Sequence, residues 1–129
     1  MDAAQLKLRL KVFALRIIKL SEKLPNSNTG NTLGKQIIRS GTSPGANYRS
    51  ACLGKSDKDF LNKLKMVEEE LDETLYWLEL IVESGLIQEN LLKELMAENL
   101  ELFKIIVSSI NTMKKKLNSE KNKPSESKE

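Results

Sequence analysis

The sequence predicts an all-α protein, an antiparallel up-down four-helix bundle, from 129 residues. Three observations carry this. Four stretches repeat apolar residues three and four apart, a spacing that lays them on one helical face. Short polar runs of Pro, Gly, Asn and Ser separate them, and connections that short make neighbouring helices antiparallel. Strand signals are missing, with three Phe, two Tyr, one Trp and no alternating β-branched run.

The first helix is expected from Ala4 to Leu24. Leu6, Leu10, Phe13, Ile17, Leu20 and Leu24 form its seam at spacings of 4, 3, 4, 3 and 4. Pro25 and the polar run Asn26–Asn31 close it. The second is expected from Thr32 to Leu53, on the seam Leu33, Ile37, Gly41, Pro44, Tyr48 and Ala51. Its middle, Ser40-Gly41-Thr42-Ser43-Pro44-Gly45, is poor helix material, because a helical proline forfeits a backbone hydrogen bond. This predicts a kink near Gly41–Gly45, or two short helices with Ser43 as cap and Pro44 in the first turn. Gly41 and Gly45, four apart, also permit another backbone to come close.

The third helix is expected after Gly54-Lys55-Ser56-Asp57, with Ser56 and Asp59 in a capping arrangement. Its seam is Phe60, Leu64, Val67, Leu71, Thr74, Leu78 and Ile81. Leu61, Leu75 and Val82 add a second row, and Gly85 is a stop. The fourth is expected from Gln88 to Leu117, on Leu92, Met96, Asn99, Phe103, Ile106, Ile110, Met113 and Leu117. An asparagine at a core position such as Asn99 fixes register at a cost in stability. One domain over residues 1–117 follows, with residues 118–129 as a disordered polar tail.

Composition excludes much chemistry. There is no histidine, which removes His-based acid/base catalysis, the Ser-His-Asp triad and the Glu-x-x-His pairs of a di-iron bundle. Cys52 is alone, so an internal disulfide and a multi-thiolate zinc site are excluded, and a reducing compartment fits. The first twenty residues never run more than four apolar residues before a Lys or Arg, too short for a signal peptide or membrane span. A basic amphipathic helix can lie on a membrane surface, but this one has other helices to bury its stripe against. The expectation is a cytoplasmic protein with no cofactor and no metal.

The net charge of +3 hides an asymmetry. Residues 1–65 carry thirteen Lys/Arg against four Asp/Glu, and residues 66–129 carry eight against fourteen. The basic half attracts phosphate or a neighbour's acidic half, or the two halves neutralise each other within one bundle.

Four groups of residues bear on function. Lys7, Arg9, Lys11, Lys35, Arg39, Arg49 and Lys55 are candidates for contact with a nucleic-acid backbone, with a solvated charged face as the alternative. They are not interleaved with exposed aromatics, so base stacking is not indicated. On the second helix, Gln36, Ser40, Ser43, Asn47 and Ser50 form a polar stripe beside Arg39. This predicts a buried network of Arg39, Ser40, Ser43 and Asn47 with Glu69, Asp72 and Glu73 of the third helix, because a buried charge needs a partner. Tyr76 and Trp77 lie off the main seam; with Tyr48 they are candidates for an interface, with a wide intramolecular core as the alternative. The pairs Glu70-x-x-Glu73 and Glu98-x-x-Glu101 have the spacing of Mg²⁺-binding carboxylates in all-α nucleotide pyrophosphohydrolases. No phosphate-binding lysine cluster follows them, so that enzyme is the lesser alternative.

The stretch Leu33-Gly34-Lys35-Gln36-Ile37-Ile38-Arg39-Ser40-Gly41-Thr42-Ser43-Pro44-Gly45-Ala46-Asn47-Tyr48-Arg49 resembles the second-helix signature of the bacterial four helix bundle proteins. These are also called 23S ribosomal RNA intervening-sequence proteins. Phe60–Leu64 and Val67–Leu80 resemble the third helix of the same family, and the likeness runs over roughly residues 6–115. The resemblance implies a homopentameric ring with no established enzymatic activity. It also implies kinship with the accessory variability proteins of diversity-generating retroelements, which bind a reverse transcriptase and RNA. Carried onto this chain, the motif residues are Arg39, Ser40, Ser43, Asn47, Glu69 and Glu73. The expected function is a non-enzymatic, oligomeric, RNA-associated scaffold. The alternative is a protein-interaction adaptor such as a reverse-transcriptase accessory subunit.

Overall fold

The structure, a computed structural model, describes residues 1–122. Those residues form four helices and no strand: α1 (Ala3–Glu22), α2 (Asn28–Cys52), α3 (Asp57–Glu83) and α4 (Glu89–Lys121). The first three starts have a local cause, whereas Gln88 before α4 makes no side-chain cap. Asp2 caps α1 in a reciprocal box, accepting from the Gln5 amide at 2.8 Å while its own amide donates to Gln5 Oε1 at 2.9 Å. Ser27 Oγ accepts from the Gly30 amide at 3.0 Å, so α2 begins at Asn28, four residues before the expected Thr32. Ser56 caps α3 as expected, through the Asp59 amide at 3.1 Å. At the far end of α3, Gly85 takes φ +79°, where a Cβ is costly, and the Leu86 amide closes the turn onto the Ile81 carbonyl.

Of the two expectations for the middle of α2, the division into two short helices does not occur. The helix is continuous from Asn28 to Cys52 through Pro44, and Ser43 is an interior residue, not a cap. Ser43 Oγ donates to the Arg39 carbonyl and Thr42 Oγ1 to the Ile38 carbonyl, so hydroxyls add bonds in the turn before the proline. Pro44 itself is buried, and its ring is core surface.

Helix α2 lies between α1 and α3, α4 closes onto α3 and more sparsely onto α1, and the backbones of α1 and α3 do not come close. Leu24, just beyond α1, packs near Gly34, while Ile17 of α1 lies against Gly41 and Leu10 near Gly45. A Cβ at Gly41 would stand 2.8 Å from two Ile17 carbons, so the helices approach too closely there for any side chain. Arg39 and Ser40 meet residues 70–74 of α3; Leu71 and Asp57 of α3 meet Asn99 and Lys116 of α4.

The seams of α1 and α2 fall on the core as expected, apart from Leu24, which is only half-buried. In α3, Leu61 is buried where Phe60 was expected, and Phe60 packs at the margin. The α4 seam is shifted: Leu92, Leu95, Asn99, Leu102, Ile106 and Ile110 are buried, while Met96, Phe103, Met113 and Leu117 are half-buried at its edge. Helix α4 also runs four residues past the expected Leu117; residues 123–129 of the proposed tail lie outside the described residues. Among the described residues, no helix is long and apolar enough to cross a membrane.

Candidate nucleic-acid interface

Lys7 and Lys11 stand one turn apart on α1, and Arg49 faces them from the last turn of α2. Between them lies an open groove of about 520 Å³, with Leu8, Ala14 and Ala46 along its walls and Thr42 offering a hydroxyl. Gly45 lines it without a side chain, and Leu10 lies 3.7 Å from where a Cβ would be. No carboxylate lines the groove. Three cations on open, uncompensated surface are what a chain of phosphates requires. Lys35 sits further along the same α1–α2 boundary, near Ser21, Glu22 and Ile38. Lys55 lies apart, in the α2–α3 groove with Asp59 and Lys63.

Two of the expected phosphate contacts are committed elsewhere. Arg9 forks onto Glu98 of α4, donating from Nε and Nη2 at 2.7 Å each. That hydrogen bond holds the guanidinium pKa above its usual value. Arg39 donates to Glu73, to Glu70 at 3.3 Å and to Gln36 at 3.2 Å. Their charges are neutralised by neighbours, so neither belongs to the groove.

The network between α2 and α3 forms with a different membership. Glu70, not Glu69 or Asp72, joins Glu73 on Arg39; Glu69 and Asp72 point to solvent. Glu73 also accepts from the Trp77 indole at 2.9 Å. Ser40 and Thr74 are buried with their hydroxyls 2.9 Å apart. Thr74 donates its one proton to the Glu70 carbonyl at 2.7 Å, so Ser40 supplies the proton between them. Ser43 bonds only to its own helix, and Asn47 takes no part among the described residues. Arg39 is half exposed, so this is a rim cluster over a small buried hydroxyl pair, not a buried ionic network.

Of the interface candidates, Tyr48 is withdrawn into the core, where burial and then nearby Cys52 push its hydroxyl pKa up to about 12. Tyr76 is exposed and meets the half-buried Trp77 edge-on, with centroids 5.1 Å apart at 62°. The paired acids do not converge. Glu70 and Glu73 turn to α2, whereas Glu98 turns to α1. Among the described residues, no three Asp, Glu or Cys side chains gather to hold a metal ion.

The sequence reading missed an exposed row on α1. Leu8, Val12, Leu15 and Ile18 face outward, with Ile38 of α2 beside them. Their spacings of 4, 3 and 3 were visible in the sequence, but the inner seam of the same helix already accounted for its amphipathicity.

These features define an all-α protein of four helices with a cationic groove along one helix pair. The chain belongs to the family of 23S rRNA-intervening sequence proteins, whose sequence pattern matches residues 7–108. It is similar to the crystal structure of a protein of unknown function from the S23 ribosomal protein family of Bacteroides thetaiotaomicron. The two are 38% identical, with a TM-score of 0.77 over 81% of this chain and 97% of the other. No curated protein matches the chain.

Proposed function

We propose that the chain is a non-enzymatic, RNA-associated protein of the cytoplasm, an up-down four-helix bundle that self-assembles and binds phosphodiester backbone along its α1–α2 groove. The observation that carries this is the convergence of Lys7, Lys11 and Arg49 on a groove without a carboxylate. The α1–α2 contacts support opposed helices, since later residues of α1 meet earlier residues of α2. The homopentameric ring follows from the family resemblance. A ring repeats one modest cationic groove around its axis, and repeated contacts raise affinity without a new type of contact.

Retention of a labelled single-stranded RNA tests the groove. Lys7→Glu/Lys11→Glu/Arg49→Glu should lose at least about tenfold in affinity, with a salt slope shallower by roughly 2 for three lost phosphate contacts. Lys55→Glu, outside the groove, should leave both nearly unchanged. Undiminished retention in the triple variant overturns the assignment. Binding of a protein partner that is insensitive to salt would instead favour the adaptor reading, for which the exposed apolar row on α1 speaks.

A further inference from the structure

Helix α1 is apolar on two sides. Leu6, Leu10, Phe13, Ile17 and Leu20 fill the core, while Leu8 (62% exposed), Val12 and Leu15 (57% exposed) run along the outer face. Single exposed apolar side chains are ordinary, but a row on one helical face marks a surface that something covers. Exposed Lys11 and Lys19 border the row, and α1 as a whole carries five Lys/Arg against one acid, Glu22.

A matching surface stands elsewhere on the chain. Met66 (43% exposed), at the mouth of the α2–α3 groove beside Lys63, and Tyr76 (52% exposed) are open on α3, with exposed Glu69 and Asp72 between them in the chain. From Glu68 to Glu83 that helix carries seven acids and no Lys or Arg. Tyr76 is steadied by its edge contact with Trp77, and a rigid, half-exposed aromatic is a good interface anchor. At 1.5 Å per residue, Leu8 to Leu15 spans about 10 Å and Met66 to Tyr76 about 15 Å. Both sets of residues are exposed in the single chain and the backbones of α1 and α3 do not come close, so neither surface covers the other in one copy.

We propose that the outer face of α1 in one copy docks on the outer face of α3 in the next. Leu8, Val12 and Leu15 then cover Met66 and Tyr76, while Lys19 faces the acidic stretch with Glu69 and Asp72, and Lys11 stays on the groove side of the row. This rests on the self-assembly proposed above and gives it a surface and a polarity. Because the two faces differ, the contact is heterologous, and each copy keeps one free face of each kind until a ring closes. An anionic lipid surface would account for the α1 row but would leave exposed Met66 and Tyr76 of α3 unexplained.

The test is light scattering after size exclusion, on the full chain and two variants, Leu8→Glu/Leu15→Glu and Met66→Glu/Tyr76→Glu. All four residues are exposed, so helicity and cooperative unfolding should match the parent and serve as the folding control. The parent is expected as an assembly and each variant alone as a single chain. Mixed one to one, the variants should form a dimer that grows no further, since each retains the face the other has lost. A parent that stays a single chain up to about 100 μM overturns self-assembly and this contact with it. If such a parent floats with phosphatidylglycerol vesicles, and Leu8→Glu/Leu15→Glu does not, the occupant is lipid. An assembled parent with either variant still at full mass overturns these faces while self-assembly stands. Two single-chain variants that do not combine overturn the pairing of α1 with α3.

Discussion

The Arg9 guanidinium and the Glu98 carboxylate form a two-pronged pair, both N–O distances 2.7 Å, across the sparse boundary between α1 and α4. The pair is partly buried, which strengthens it relative to a surface ion pair, and planar fork geometry is specific to arginine. A double-mutant cycle with Arg9→Ala and Glu98→Ala in urea should give a coupling of about 1 kcal/mol, shrinking at high salt. Arg9→Lys should lose most of it. A coupling near zero would mean the pair is ornamental.

Gly41 and Gly34 should respond to alanine with opposite signs. At Gly41 the new methyl meets Ile17 at 2.8 Å in a closed core, and overpacking of this kind costs roughly 1–3 kcal/mol. At Gly34 the nearest atom is Leu24 Cδ1 at 3.5 Å, an ordinary contact, so the gain in helix propensity of up to about 1 kcal/mol should show. Thermal melts of both variants decide this, and a Gly41→Ala variant as stable as the parent would contradict the close approach of α1 and α2.

Asn99 donates to the Leu71 carbonyl at 2.9 Å, and among the described residues no group donates to its buried Oδ1. An unmet buried acceptor costs about 1–3 kcal/mol. Asn99→Leu should therefore match or exceed the parent in stability. Asn99→Asp, which buries a charge at neutral pH, should lose about 3 kcal/mol or more. Denaturant midpoints test both, and a strongly destabilised Asn99→Leu would show that the amide has a second partner.

Tyr48 should make the fold sensitive to alkali. Its hydroxyl ionises near 10.0 in the unfolded chain and at about 12 when folded, chiefly because burial disfavours the phenolate. The unfolded state thus sheds its proton first, and stability present below pH 10 falls as the pH rises towards 12. The loss is roughly 1–2 kcal/mol, allowing for screening. Tyr48→Phe should remove this part of the slope; parallel stability curves for parent and variant between pH 9 and 12 would refute it.

Legibility differed between elements for physical reasons. Caps are local, so Ser56 at the start of α3 and Gly85 at its end were both readable from neighbours in the chain. The division of α2 at Pro44 was misread because the proline's penalty was weighed in isolation. The buried ring and the hydroxyls of Thr42 and Ser43 sit in a continuous helix. The α4 seam was misread because two registers, one through Met96 and Phe103 and one through Leu95 and Leu102, are equally apolar. Contact with α3 selects the second.

What the sequence determined by itself is the number of helices, their approximate limits, most of the buried seam and the family, because each depends on short-range spacing. Which charges remain available was decided only by tertiary structure. Arg9 and Lys7 stand two residues apart and look alike along the chain, yet packing brings Glu98 of α4 onto Arg9 and leaves Lys7 on an open groove. Arg39 and Arg49 divide in the same way, one held by Glu70 and Glu73 and the other facing Lys7 and Lys11. Ion pairs of this kind join residues 31, 34 or 89 positions apart, and no local pattern encodes which partner the packed helices will bring within reach.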